Sequence, residues 1–254
     1  MMQLSATVIT LNEEKNIADC LASLDFADEI VVVDSGSSDR TAEICRGYPK
    51  VRFIHNEWSG YGRQKNFAAE LAVNNWILNI DADERVSPQL HRSLEQADRN
   101  SFSAARMARE NYFGKRWIRH CGWYPDYTTR FYDRRRCRFS ERLVHEALEH
   151  DGTVATLDGN LRHFTYDGIG DYLRRMDRYS SLAAEEKVRE GYRPKPLDLI
   201  AGPLFTFLRM FLLKKGFLEG EAGLILSSLY AIYTFCKYAK AREILQAREH
   251  DLGL

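Results

Sequence analysis

The sequence predicts an α/β fold in which a doubly wound, mostly parallel sheet occupies residues 1–168 and a helical region follows over residues 169–254. Three observations predict it. Short β-branched runs alternate with helical spacing as far as residue 80, the pattern of parallel strands joined by crossover helices. The fourth run ends in Asp81 and Asp83, two apart, and in open α/β sheets ligands bind beyond that end of the strands. From Gly170 the spacing is helical to the end, broken at Gly191–Pro196, Gly202–Pro203 and Gly216–Gly223.

Taken in order, Ala6–Leu11 reads as a first strand. Asn12 then caps a helix with Glu13 and Glu14 in its first turn, where negative charge suits the helix dipole, and Ile17, Leu21 and Leu24 along one face. Ile30–Val33 is a strand of the kind buried on both faces, and the turn Asp34–Asp39 leads from it into a helix carrying Ala42, Ile44 and Cys45. Val51–His55 is the third strand; Arg63–Val73 places Phe67, Ala68, Leu71 and Ala72 at helical spacing; Trp76–Ile80 is the fourth strand. Ser87–Asn100 reads as one helix capped at Ser87–Pro88. Ala104–Ala108 and Thr128–Tyr132 are short strands flanking an aromatic-rich loop with Trp117, Trp123 and Tyr124, and Thr153–Phe164 supplies one or two more.

The 254 residues suffice for a substantial core. With 36 basic and 36 acidic side chains the net charge is zero, which argues against a nucleic-acid partner. The five cysteines are scattered and never at CxxC spacing, so they read as reduced thiols of a cytoplasmic protein. Met1–Ser5 has no basic flank ahead of a long apolar run, so no signal peptide is expected.

Asp81 and Asp83 point to one face of an extended segment, where two carboxylates can hold a hard divalent cation; an acidic turn ahead of the next helix is the competing reading. Asp34 closes a strand before Ser35–Gly36–Ser37–Ser38, and a carboxylate there can accept from a uracil N–H or a ribose hydroxyl, whereas Asp39 equally suits a helix cap. Gly60–Asn66, with Arg63 and Lys65, can bring donors to a diphosphate or form a solvated basic face. Glu146, beside His145, can act as a general base, and Asp126 competes for that role; His163 alone reads as structural. The run Arg130, Arg134, Arg135, Arg136, Arg138 and Arg142 can hold an anion or form a solvated hairpin tip. Leu204–Leu212 beside Lys214–Lys215, and then Leu224–Cys236, suit helices lying on a membrane, packed on the sheet, or packed on a second copy of the chain.

Four ordered blocks, Thr7–Glu14, Val31–Asp39, Lys65–Asn66 and Ile80–Glu84, together resemble the family 2 glycosyltransferases of GT-A fold. Gly122–Asp126, Val144–Glu146, Arg162–Phe164 and the Lys214–Gly220 region resemble the bacterial branch that builds the lipopolysaccharide or lipooligosaccharide inner core, which includes β-1,4-glucosyltransferases. The resemblance implies a GT-A domain over 1–168 and an inverting hexosyltransferase that moves a hexose, glucose above others, from a UDP-sugar to a lipid-linked core oligosaccharide. It implies that Thr10, Asn12, Glu13, Asp34, Ser35, Gly36, Asp39, Lys65 and Asp81 serve the nucleotide, and that Asp83 with His163 holds Mg²⁺ or Mn²⁺. Glu146 is then the base, with Asp126 its rival, because the acidic ED pair that many members use has no counterpart between Cys121 and Phe164. The expected location is the cytoplasmic face of the inner membrane, held peripherally through the C-terminal helices, which are also the surface for any homo-oligomer. A sugar nucleotidyltransferase and a non-catalytic scaffold binding sugar nucleotide at a membrane are the other readings; the first lacks its expected glycine- and cation-rich N-terminal signature.

Overall fold

The computed structural model describes residues 3–140 and 147–251 and divides into two compact units, Met1–Glu110 with Asp126–Phe164 and Asn111–Pro125 with Thr165–Leu254. The helical unit therefore takes in the segment 111–125 as well as the C-terminal helices.

The first half follows the expected alternation: β1 (Leu4–Thr10), α1 (Ile17–Ser23), β2 (Glu29–Asp34), α2 (Thr41–Arg46), β3 (Val51–His55), α3 (Tyr61–Leu71) and β4 (Trp76–Asp81). After it come β5 (Glu84–Val86), α4 (Pro88–Gln96), β6 (Ala104–Phe113), β7 (Arg116–Trp117), β8 (Asp126–Asp133), β9 (Cys137–Phe139), β10 (Leu148–His150) and β11 (Val154–Tyr166), then α5 (Ile169–Arg189), α6 (Asp198–Leu208) and α7 (Glu221–Asp251).

Among the described residues the main sheet runs β3-β2-β1-β4-β8-β6-β11-β5, with β7 paired to β6. The first four strands are parallel; β8 joins β4 antiparallel and carries the sheet on. All seven residues of β1 are buried, as a central strand covered on both faces requires. Side chains of β2 alternate between those faces: Ile30 and Val32 pack with Leu21 of α1 and with Leu90 and Leu94 of α4, while Val31 and Val33 pack with Ala68 and Ala69 of α3. Each fully buried leucine contributes about 1.5–3 kcal/mol by leaving water. Ser87 caps α4 as expected, its hydroxyl accepting from the Leu90 N–H at 3.2 Å, with Pro88 in the first turn. Gly159 of β11 (φ +87°) lies so close to this helix that a Cβ there would sit 2.3 Å from the Leu90 nitrogen.

Two expectations change. Asn12 does not cap α1, which begins four residues past Glu13; Asn12 is left-handed (φ +55°) and its Oδ1 accepts from the Ser38 N–H at 2.8 Å, tying two loops together. The short strand β5 was not visible in the sequence, because Glu84–Arg85–Val86 has no apolar run and gains its partner only from β11, through Glu84↔His163, Arg85↔Arg162 and Val86↔Leu161.

In the helical unit, α5 and α7 meet through Ala184, Val188 and Ala241, and Lys240 Nζ bridges them by donating to the Asp177 carbonyl and carboxylate and to Ser180 and Ser181 at 2.7–2.9 Å. α6 rests on α7, where Gly202 faces the Tyr238 ring and Thr206 bonds Thr234 at 3.1 Å. α6 buries no residue fully. A second cluster joins Ile118, Cys121 and Trp123 to Met210 and Leu226. No described helix is long and apolar enough to cross a membrane.

Candidate active site at the strand ends

The register places Thr10 opposite Asp34 and Ile9 opposite Asp81, so the last residues of β1, β2 and β4 share one sheet edge. There the Asp34 carboxylate organises its own turn: Oδ2 accepts from the Gly36 and Ser37 N–H groups at 3.0 and 2.9 Å, and Oδ1 accepts from the Ser37 hydroxyl. Gly36 holds φ +99°, which a side chain would strain. Ser35 Oγ accepts from Gln64 at 3.1 Å. Thr10 is buried and its hydroxyl has no hydrogen-bond partner among the described residues, an orphan polar atom on the same edge.

Asp39 precedes the α2 N-cap, Arg40, and ties the turn to the first loop: it accepts from the Thr41 N–H and hydroxyl and from the Glu14 N–H. Burial works against its charged form, but these donors outweigh it and hold the carboxyl below its ordinary value. The Glu13 N–H donates to Thr41 Oγ1, and its carboxylate accepts from Asn16.

The carboxylates after β4 part company. Asp81 lies within 3.4 Å of Lys65 Nζ and accepts from Arg130. Arg130 also donates to Glu84 at 3.0 Å, Arg109 lies 3.6 Å from that same Glu84 oxygen, and Arg109 binds Asp126 Oδ2 with two nitrogens at 2.6 and 2.9 Å. Lys65, Asp81, Arg130, Glu84, Arg109 and Asp126 thus form one chain of alternating charge through the α/β unit. Glu84 has a wholly buried side chain, and its second oxygen accepts from the Asp81 N–H at 3.0 Å. Burial disfavours ionised Asp81, yet Arg130 and Lys65, aided by His163 and Arg109, hold its carboxyl far below the usual carboxylate range.

Asp83 turns the other way. Its Oδ2 lies 3.4 Å from His163 Nε2, and its carbonyl accepts from the Phe164 N–H at 2.9 Å. Burial alone would lower the His163 value; the Asp83 hydrogen bond and charge, with Glu84, push it up instead. The Asp83 carboxylate suits Mn²⁺ or Mg²⁺ when phosphate oxygens or water complete the shell, and the His163 imidazole can add a nitrogen donor only in its neutral form. Among the described residues no three of His, Cys, Asp and Glu cluster as a protein-only metal cage. Glu146, and with it His145 and Arg142, lies outside the described residues.

The arginine run does not act as one patch. Arg130 is buried in the charge chain, Arg134 donates to the Ala69 and Ala72 carbonyls at 2.7 and 2.6 Å, Arg135 pairs with Asp133, and Arg138 pairs with Glu70. Asn66 is structural, exchanging two 2.9 Å hydrogen bonds with the backbone of Phe139.

The sequence profile of Glycosyl transferase family 2 matches residues 5–149. The chain belongs to that family. It is 34% identical to the lipopolysaccharide core biosynthesis glycosyltransferase LpsC of Rhizobium meliloti, over 97% of this chain and 95% of that relative. It is 28% identical to the uncharacterized glycosyltransferase RP128 of Rickettsia prowazekii, over 96% and 88%. Among solved structures, the mannosyltransferase PcManGT of Pyrobaculum calidifontis, in complex with GDP-Man and Mn²⁺, superposes with a TM-score of 0.54 at 16% identity, covering 94% of this chain and 86% of that one. S. aureus TarS 1-349 in complex with UDP-GlcNAc gives 0.50 at 16% identity, covering 97% and 92%. The fold is GT-A, as the resemblance implies, and the chain is a glycosyltransferase; the nucleotidyltransferase and scaffold readings fall.

Arg109 and Glu84 of this transferase were not among the sequence candidates, and Arg130 was read only as part of a basic run. The signal available was a charge inside strand-like stretches, since a cation next to Phe131 and Tyr132 in a sheet needs a buried partner.

Proposed function

We propose that this transferase moves a hexose, with inversion, from a UDP-sugar to the lipopolysaccharide or lipooligosaccharide inner core. The observation that supports this reading is the division at the strand ends: Asp83 stands beside His163 and outside the ion pairs that Lys65 and Arg130 make with Asp81. The relation to LpsC supports the core acceptor, and the UDP-GlcNAc bound by TarS supports a UDP-sugar donor.

In this reading Asp34 and the orphan hydroxyl of Thr10 meet the uridine, with Asn12, Glu13, Ser35, Gly36 and Asp39 shaping the two loops around it. Asp83 and His163 hold Mg²⁺ or Mn²⁺, which when bound offsets negative charge on the leaving diphosphate. Lys65 and Arg130 keep Asp81 charged and oriented toward the ribose. Glu146 takes the proton of the acceptor hydroxyl as its oxygen attacks the anomeric carbon from the face opposite UDP, whose bond to that carbon breaks. Arg109 engages Asp126 Oδ2 with both donors, which suits Asp126 to positioning more than to proton transfer. The α/β part, residues 1–168, carries this chemistry; the helical part, 169–254, rests on the cytoplasmic face of the inner membrane beside the lipid-linked acceptor.

The test is a mass assay on truncated core oligosaccharide with UDP-glucose and UDP-galactose in Mn²⁺ or Mg²⁺ buffer. One hexose gained, free UDP released and an inverted anomeric centre by NMR are expected. No transfer from any UDP-hexose, or retention, overturns the reading. Glu146→Gln is expected to lower kcat about 10²–10⁴-fold; a fully active Glu146→Gln with a dead Asp126→Asn moves the base to Asp126.

A further inference from the structure

Within the helical unit, a cavity of about 320 Å³ is lined by Arg119, His120, Tyr124, Leu213, Lys214 and Lys215. Its 119–120 edge is fixed in place. The buried Glu219 carboxylate beneath them accepts from the Arg119 and His120 N–H groups at 2.9 and 3.0 Å, meets His120 Nδ1 at 2.7 Å, and takes Arg116 at 3.1 Å on its other oxygen. Those four contacts fill the Glu219 carboxylate, while Arg119, Lys214 and Lys215 are exposed. The Arg119 guanidinium lies 4.3 Å over the Trp117 ring, which orders it without using its N–H donors. Among the described residues neither Lys214 nor Lys215 has a carboxylate within ion-pair distance.

The backbone is held in unusual conformations to make this cluster. Cys121 and Lys215 are left-handed without being glycine (φ +61° and +54°), and Lys214 follows a π-helical turn, Arg209–Leu213. Close packing underneath depends on glycine: a Cβ on Gly216 would sit 2.8 Å from the Met210 carbonyl oxygen, and one on Gly223 only 1.8 Å from the Gly216 oxygen. On either side of the two lysines the same segment exposes Leu212, Leu213, Phe217 and Leu218, with Leu213 73% exposed.

Three exposed cations in a cavity rimmed by exposed apolar side chains match the headgroup boundary of a bilayer, where apolar groups enter the acyl region and lysines stay at phosphate level. We propose that this cavity seats the phosphodiester of an anionic phospholipid, with Lys214, Lys215 and Arg119 as its donors and Leu213, Phe217 and Leu218 inserted beside it. The inference rests on the membrane reading above and adds to it a lipid preference and a site.

The test is flotation of the full chain with phosphatidylcholine vesicles and with vesicles containing phosphatidylglycerol. The wild type is expected to prefer phosphatidylglycerol, by about fivefold per surface cation, and Lys214→Ala/Lys215→Ala is expected to lose on the order of twenty-five-fold of that preference. Lys214→Arg/Lys215→Arg is expected to restore it, and Phe217→Ser/Leu218→Ser to weaken binding to both vesicle types. Equal flotation with both lipids, or an unaltered preference in the double-alanine variant, overturns the anionic site while membrane association stands; flotation with neither overturns both. A vesicle-free chain that sediments as a dimer, broken by Phe217→Ser/Leu218→Ser, assigns the surface to a second copy and overturns the proposal.

Discussion

Arg130 and Lys214 carry the same formal charge in opposite settings. Arg130 is buried in the α/β unit between Asp81 and Glu84, with Lys65 and Arg109 extending the alternation on either side, and Lys214 stands exposed in the helical unit beside Lys215 and Arg119. A buried cation flanked by carboxylates cannot also serve a ligand without leaving those carboxylates unpaired, so Arg130 orients and neutralises. An exposed cation with its nearby carboxylate already filled keeps its donors for something outside the chain. Charge in the first setting belongs to the fold; charge in the second is available to a partner.

The largest expected effect comes from breaking the buried side of this contrast. Arg130→Met leaves Asp81 and Glu84 without their shared donor in a setting where one lost partner typically costs about 3–5 kcal/mol. An unfolding free energy from urea titration lowered by that amount, and a lower midpoint with it, is expected; a wild-type midpoint would mean that Lys65 and Arg109 suffice for the two carboxylates. Next in size is Gly223→Ala in the helical unit. Its Cβ would overlap the Gly216 oxygen, so the backbone must move, at a cost of about 1–3 kcal/mol as in other overpacked sites. The same displacement should disturb the 210–216 segment and with it the flotation preference, although no charge is altered.

How far these regions could be read beforehand differs for a physical reason. The four parallel strands, the Ser87 cap and the DxD location follow from local patterns: β-branched runs, capping chemistry and i, i+2 spacing. The partners of Asp81 do not. Lys65 precedes it by 16 residues and Arg130 follows it by 49, and only the register of β4 against β8 brings Arg130 to it. Asn12 was misread because an Asn before two glutamates looks like a cap, while its left-handed backbone and its bond to Ser38 depend on a loop 26 residues away. The Lys214–Gly220 motif was visible as a block, but its pairing with 119–120 through Glu219 is a tertiary fact.

Acid titration sharpens the contrast. Asp81 is held below its ordinary value of about 3.9 by Arg130 and Lys65, so the stability it contributes is fully present above that pH and is lost as pH falls toward its folded-state value. The unfolding free energy of the wild type should therefore fall with acid below about pH 4, and Asp81→Asn should show a shallower fall from a lower starting point. An unchanged slope in Asp81→Asn would place the acid-sensitive linkage elsewhere, Glu219 and Asp133 being further buried carboxylates held down by their donors.

The smallest effect is the most diagnostic. Lys214→Ala/Lys215→Ala removes two charges whose side chains are exposed and make no ion pair among the described residues. Surface substitutions of this kind change stability by no more than about 0.5 kcal/mol, so the urea midpoint of the double variant should match the wild type. If it falls by as much as that of Arg130→Met, the two lysines support the 119–122 turn from outside, and the distinction between fold charge and partner charge fails in the helical unit. A silent midpoint combined with a lost preference for phosphatidylglycerol has the opposite meaning: the strained backbone at Cys121 and Lys215 is maintained for a ligand that the isolated chain does not need in order to fold.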